Sequence, residues 1–258
     1  MGFENKTAFV TGAGSGIGES VAVALAAAGA KIAVADVNLE NAEKVASAIR
    51  NSGYQAKAIS VDVSNPESVE KAFFLAESWY GESTNILVNS AGILGLHSFI
   101  DYPADLFVKV LAVNVTGAFL CAQRAAKSMV ALGCGRIINI ASIGAERAGI
   151  GRTAYGTSKA AMAGLTRQLA MELGPHGISS NAIAPGPVLT PLTQESYTPE
   201  TIQAYSSMIP AGRLGMLEEM TSAVLYLASD AAAYINGVLL PVDGGYLASG
   251  VAKTGKLG

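Results

Sequence analysis

Short apolar runs alternate along the chain with longer segments whose apolar residues recur at helical spacing. Lys6–Thr11, Lys31–Asp36, Gln55–Val61, Ile86–Asn89, Arg136–Ala141, Ile178–Ile183 and Val238–Val242 read as strands. Gly18–Ala28 reads as an Ala-rich helix, and Leu39–Asn51 as a helix with Leu39, Ala42, Val45, Ala46 and Ile49 on one face. Asn65-Pro66 opens a third helix, with Pro at its first position. Pro103–Met129, Thr153–Leu173 and Met216–Leu227 complete the helical set.

Strands that alternate with helices predict an α/β fold, a doubly wound parallel sheet of about seven strands covered on both faces. No repeat or linker divides residues 1–258, so one domain is expected. Pro185–Gly215 breaks the rhythm with Pro185, Pro187, Pro191, Pro199 and Pro210. Such a long irregular stretch is expected to be functional, a substrate lid around 188–215.

Composition narrows the classes. Of 258 residues, 50% are hydrophobic and 14% charged, enough apolar material for a sizeable core. Seventeen Lys and Arg against twenty Asp and Glu leave a net charge of −3, with no basic excess to neutralise a nucleic acid. Cys121 and Cys134 make neither a disulfide framework nor a zinc site, and no metal is expected. Both lie among apolar residues and read as buried free thiols suited to a reducing compartment. The first residues hold no apolar signal core, and Lys6 departs from the myristoylation pattern. The longest apolar run, Val21–Ala30, is about half the roughly 20 residues that a membrane span needs. A soluble, cytoplasmic protein is expected. The Asn5 and Asn114 sequons are then chance matches, and Thr254–Gly258 is left out of the fold reading.

Thr11-Gly12-Ala13-Gly14-Ser15-Gly16-Ile17-Gly18 follows the first strand and opens a helix. Gly12, Gly16 and Gly18 allow a tight turn, close approach of backbone to a pyrophosphate, and close helix–sheet packing, while the helix N-terminus supplies free N–H groups. Asp36 ends the second strand, 18 residues after Gly18. A carboxylate there accepts from both adenine-ribose hydroxyls and repels a 2′-phosphate. Ser15 and Val37 stand where a compensating Arg or Lys for NADP is expected, so the reading is NAD.

Tyr155 and Lys159 are four apart on one helix face, with Ser142 thirteen residues upstream at the end of strand five. An ammonium beside a phenol lowers its pKa from about 10 and makes it a usable acid/base.

These motifs together resemble the short-chain dehydrogenase/reductase family, in its single-domain Rossmann-like form, over Thr11 to Gly245. Thr11–Gly18 resembles the family's cofactor loop, Asp62-Val63 its adenine-contact pair, and Asp243-Gly244-Gly245 its C-terminal signature. Asn89-Ser90-Ala91-Gly92 resembles its Asn-Asn-Ala-Gly motif, with Ser90 as a departure. Asn114, Ser142, Tyr155 and Lys159 match its catalytic residues, and Pro185-Gly186, Val188 and Thr190 its nicotinamide-side segment. The resemblance implies that Tyr155 exchanges the alcohol proton, Ser142 steadies the substrate oxygen, Lys159 lowers the Tyr155 pKa and holds the ribose, and Asn114 anchors a relay water. It also implies a homotetramer. Substrate would be read by segments 94–98, 143–152 and 189–213, with His97, Gly144, Glu146 and Arg147 as candidate contacts.

The expected activity is NAD-dependent interconversion of a secondary alcohol (a sugar, polyol or small hydroxy compound) with its ketone or lactone. The alternative is an NADPH-dependent 3-oxoacyl-carrier-protein reductase, which Asp36 and Ser15 oppose. A cofactor-binding sensor without catalysis is opposed by the presence of all four catalytic residues.

Overall fold

The computed structural model describes residues 2–194 and 197–250. Seven parallel strands form one sheet in the order β3-β2-β1-β4-β5-β6-β7. They are β1 (Thr7–Thr11), β2 (Lys31–Asp36), β3 (Ala56–Ser60), β4 (Ile86–Asn89), β5 (Gly135–Ile140), β6 (Ile178–Pro185) and β7 (Leu239–Val242). Period-2 alternation splits the core into two layers. Ala8 and Val10 of β1 and Ile32 and Val34 of β2 face α1 (Gly16–Ala27), α2 (Leu39–Asn51) and α9 (Leu217–Ala228). Phe9, Ala33 and Ala35 face α3 (Pro66–Tyr80) and α5 (Gly117–Leu132), where Phe9 stacks on Phe73 with ring centroids 4.1 Å apart. The remaining helices are α4 (Ala104–Leu111), α6 (Thr153–Leu173), α7 (Pro191–Gln194) and α8 (Pro199–Met208).

The expected helix over 103–129 runs as Ala104–Leu132 and is not uniform: a π-turn at Ala112–Thr116 joins α4 to α5. By length and mean hydropathy it could cross a membrane. Its α5 half instead buries Cys121, Ala122, Ala125 and Met129 against the sheet, and Arg124 on another face pairs with Glu70 and Glu77. One face of α5 therefore packs on the sheet, while Val108, Phe119 and Val130 stay exposed on other faces of this helix.

Two expectations change. The 188–215 segment is built around α7 and α8 rather than irregular, and an isolated bridge from Val188 to Gly215 closes its base. Pro191 and Pro199 start helices, because the first helical position needs no N–H. Cys121 is buried and its thiol is pushed up to about 12, but Cys134 is exposed. Gly133, at φ +68°, ends α5 in the left-handed region, and Cys134 falls in the turn before β5. The residues 254–258 lie outside the described residues.

The tightest contact ties α1 to the glycine turn. A Cβ on Gly18 would lie 2.2 Å from the Gly12 carbonyl oxygen. Gly18→Ala must therefore push α1 off β1. An overpacking cost of about 1–3 kcal/mol is expected. It would be read as a lower urea midpoint at unchanged slope. An unmoved midpoint would mean that α1 slides at no cost.

Candidate active site

The C-terminal ends of the strands and the loops that follow them enclose a cavity of about 680 Å³. Its residues fall into two halves, set apart by the strands that deliver them.

In the first half the glycine turn needs its glycines. Gly12 and Gly16 sit at φ +62° and +60°, and a Cβ on Gly12 would lie 2.7 Å from the Ala91 Cα. Thr11 Oγ1 accepts the Ser90 and Ala91 N–H groups at 3.1 Å each, which fixes the loop after β4 against that turn. Ser15 is the N-cap of α1 but makes no side-chain cap, so the first turn's N–H groups face the cavity beside Gly16 and Ile17 without that partner. Asp36 Oδ2 accepts the Gly14 N–H at 3.0 Å and Oδ1 the Asn38 N–H at 2.9 Å. One carboxylate thus joins the glycine turn to the start of α2 and still lines the cavity with Val37, Asp62 and Val63. Asp62 Oδ1 accepts both the N–H and the hydroxyl of Ser64, at 2.9 and 2.6 Å.

Gly18 and Asn89 act from below rather than in the lining. Asn89 Nδ2 donates to the Asn139 Oδ1 at 2.9 Å, and Asn139 Nδ2 to the Thr166 Oγ1 at 2.9 Å, a buried chain that ties β4 to β5 and α6. A Cβ on Gly92 would press on the Asn114 Oδ1 at 3.3 Å.

In the second half, α6 carries Tyr155 and Lys159 to the cavity wall beside Ser142. Lys159 is 4% exposed, and its Nζ donates to the Ile140 carbonyl at 2.7 Å. That Nζ is 5.5 Å from the Tyr155 ring centroid. Burial draws the Lys159 pKa down to about 8. Burial also raises the Tyr155 phenol above its ordinary value, while hydrogen bonding with Ser142 and the Arg152 guanidinium pull it down. The sequence expectation of a lowered phenol with Lys159 as its cause is therefore not the picture in the protein alone. The counterweights to burial here are Ser142 and Arg152.

Asn114 is fully buried in the π-turn. Its Nδ2 donates to Ile93 O at 3.1 Å and Ser158 Oγ at 3.0 Å, and its Oδ1 accepts the Ile93 N–H at 2.8 Å. Both amide hydrogens are committed, so a water held by Asn114 must take Oδ1 or the main-chain carbonyl. Pro185, Gly186, Val188 and Thr190 line the far wall. Gly186 lies against Asp243, where a Cβ would come within 2.7 Å of Asp243 Cα, and Thr193 Oγ1 donates to the Val188 carbonyl at 2.8 Å.

Of the candidate substrate contacts, Ser142 and Tyr155 line the cavity. Gly144 donates its N–H to Ser142 Oγ at 3.0 Å from just outside it. Glu146, Arg147 and His97 are exposed and outside the lining, His97 edge-on to Tyr102 at 5.8 Å. Among the lining side chains that the sequence did not single out are Lys109, Arg152, Tyr197 and Tyr205. Arg152 had a legible signal, since it stands three residues before Tyr155 on the stripe that continues to Lys159. The tyrosines had none, because the fold of the 188–215 segment brings them in, with Tyr197 and Tyr205 ring centroids 5.4 Å apart. Among the described residues no cluster of side chains suits a metal ion.

Comparison with known proteins places the chain among oxidoreductases. Residues 12–247 match a family model described as Enoyl-(Acyl carrier protein) reductase. The chain is 38% identical over 242 residues to an NAD-dependent glycerol dehydrogenase of Listeria innocua, covering 94% of each. It is 38% identical over 243 residues to a D-threitol dehydrogenase of Mycolicibacterium smegmatis, covering 94% of this chain and 93% of that one. Among solved structures, a gluconate 5-dehydrogenase from Burkholderia cenocepacia, in complex with NADP and tartrate, superposes with a TM-score of 0.92 at 34% identity, covering 96% of this chain and 97% of that one.

Proposed function

The chain belongs to the short-chain dehydrogenase/reductase family and is an oxidoreductase of alcohol groups, and from that premise we propose that it interconverts a secondary alcohol (a sugar, polyol or small hydroxy compound) and its ketone or lactone with NAD. The observation that carries the cofactor reading is Asp36, whose carboxylate stands at the cavity wall at the end of β2. The residues present fit a dinucleotide: glycines at positive φ, an α1 N-terminus without a side-chain cap, and no Arg or Lys at Ser15 or Val37. When bound, NAD supplies a nicotinamide ring that accepts hydride and carries a positive charge in its oxidised form.

The chain's own residues do the rest. Tyr155 takes the carbinol proton, and Ser142 holds the same oxygen as charge develops on it. Lys159 holds the nicotinamide ribose, with its ammonium near the Tyr155 ring. Asn114 fixes the Ile93 backbone against α6 and anchors the relay water. Val188 and Thr190 grip the carboxamide, and Asp62 and Val63 the adenine. Exposed Val108, Phe119, Val130 and Met171 on α4, α5 and α6 support a homotetramer, and the free thiols support a reducing, cytoplasmic setting.

The test is the initial rate of NADH formation across sugars, polyols, hydroxy acids and aliphatic secondary alcohols. Silence with NAD, together with reduction of an acetoacetyl thioester by NADPH, would overturn the reading. Asp36→Ala is expected to lower the preference for NAD over NADP about tenfold or more, from lost ribose hydrogen bonds of about 1–3 kcal/mol and removed repulsion. That carboxylate also holds Gly14, so affinity for both cofactors falls, and the ratio is the quantity to measure. An unchanged ratio would place discrimination elsewhere.

A further inference from the structure

We propose that Arg152 binds a carboxylate on the substrate beside the reacting carbon, so that hydroxy acids and sugar acids are preferred over neutral polyols of the same skeleton. This rests on the alcohol-dehydrogenase reading of the same cavity.

Three observations carry it. Arg152, Tyr155 and Lys159 stand at positions i, i+3 and i+7, on one stripe at the start of α6, and all three line the cavity. The Arg152 carbonyl accepts the Gly156 N–H at 2.8 Å and its N–H donates to Gly149 O at 3.2 Å, so its backbone is set by the helix start. Second, among the described residues seven ion pairs form and none of them includes Arg152. Its charge pulls down the pKa of both neighbouring phenols, Tyr197 and Tyr155, against the burial that raises them.

Third, the cavity's charges are segregated. The lining carboxylates, Asp36 and Asp62, are delivered by β2 and β3, and besides Arg152 and Lys159 the lining holds one more cation, the exposed Lys109 of α4. Three inter-strand steps of about 4.8 Å separate β2 from β5 and four separate β3 from β5, so Asp36 and Asp62 lie on the order of 14 and 19 Å from Ser142. The glycine turn, where a pyrophosphate would sit, follows β1, about two steps from β5. Lys159 is already committed to the Ile140 carbonyl. Among the described residues a half-buried guanidinium is therefore left beside the general acid/base with no carboxylate paired to it. Its planar fork suits the two oxygens of a carboxylate, and the Tyr197 hydroxyl adds a neutral donor.

The test compares substrates of one carbon skeleton with a carboxylate or a neutral hydroxymethyl group, gluconate with glucitol and glycerate with glycerol, and adds glycerol 3-phosphate as a different anion. The wild-type kcat/KM is expected to favour the carboxylate of each pair by about 10–150-fold. Arg152→Met is expected to collapse that ratio to within a few-fold of unity, chiefly through KM, with Arg152→Lys intermediate. If Arg152→Met fails to fold, competitive inhibition of the wild type by malonate but not malonamide gives the same answer. Neutral polyols oxidised as well as the acids would overturn the inference and leave the alcohol-dehydrogenase reading standing. Preference for the phosphate ester over glycerate would overturn the carboxylate assignment. An equal loss on acids and polyols in Arg152→Met would make Arg152 a support of Tyr155 alone. Silence on every alcohol would remove both readings together.

Discussion

Tyr155→Phe is expected to lose about 10²–10⁴ in kcat, the usual contribution of a positioned acid/base. NADH binding, followed by fluorescence titration, should stay near wild type, because the ring and its packing on α6 remain. The direction of pH dependence comes from the phenol. Burial raises its pKa, and alcohol oxidation needs the deprotonated form, so wild-type kcat/KM should climb with pH through the alkaline range. The variant's residual rate should lack that limb. Turnover within a few-fold of wild type would remove Tyr155 from the chemistry.

Lys159→Met is expected to act in two opposite directions. Turnover should fall by orders of magnitude with the loss of the charge near Tyr155. Folding stability should rise. The ammonium is 4% exposed and its pKa is drawn down from 10.5 to about 8, so holding it charged in the fold costs about 3 kcal/mol, at about 1.4 kcal/mol per pKa unit. The Ile140 carbonyl, left without its donor, returns part of that gain. A net stabilisation of about 1–2 kcal/mol is therefore expected in urea melts at pH 7. The sign is fixed by linkage: below pH 8 both states hold the proton and the cost is complete. Between 8 and 10.5 the folded state releases its proton first, and the advantage of Met shrinks toward zero. A variant less stable than wild type at pH 7 would show that the Ile140 hydrogen bond outweighs the desolvation of Lys159.

The parts of this molecule that a linear reading captures are those whose physics is local. All seven strands lie within a residue or two of where short apolar runs place them, since a strand buried on both faces leaves little room for polar positions. Gly12, Gly16 and Asp36 were legible because turn geometry and a charge at a strand end have few other uses. The features that escaped depend on tertiary contact. Pro191 and Pro199 look like loop residues until the chain beyond them is seen to turn helical. Cys134 looks buried among Val130 and Leu132, which are themselves half-exposed at 41% and 44%. Glu146 and Arg147 come soon after Ser142 in sequence, yet the turn after β5 leads them outward, and Arg152 faces the cavity when α6 begins.

The π-turn at Ala112–Thr116 has a consequence for insertions and deletions. One residue beyond the α repeat rotates the downstream helix by about 100° relative to the upstream one. That phase offset lets α5 lay Cys121, Ala122 and Ala125 on the sheet while Asn114 points back toward Ile93 and Ser158. Deleting any one of these five residues would relax the helix into a regular and locally more comfortable form. It would also swing α4 and α5 out of step. Substitutions here are absorbed one side chain at a time, whereas a change of length is felt at both ends of the helix. Outside Asn114, a substitution in this turn is thus expected to stay local, while a change of residue count is not.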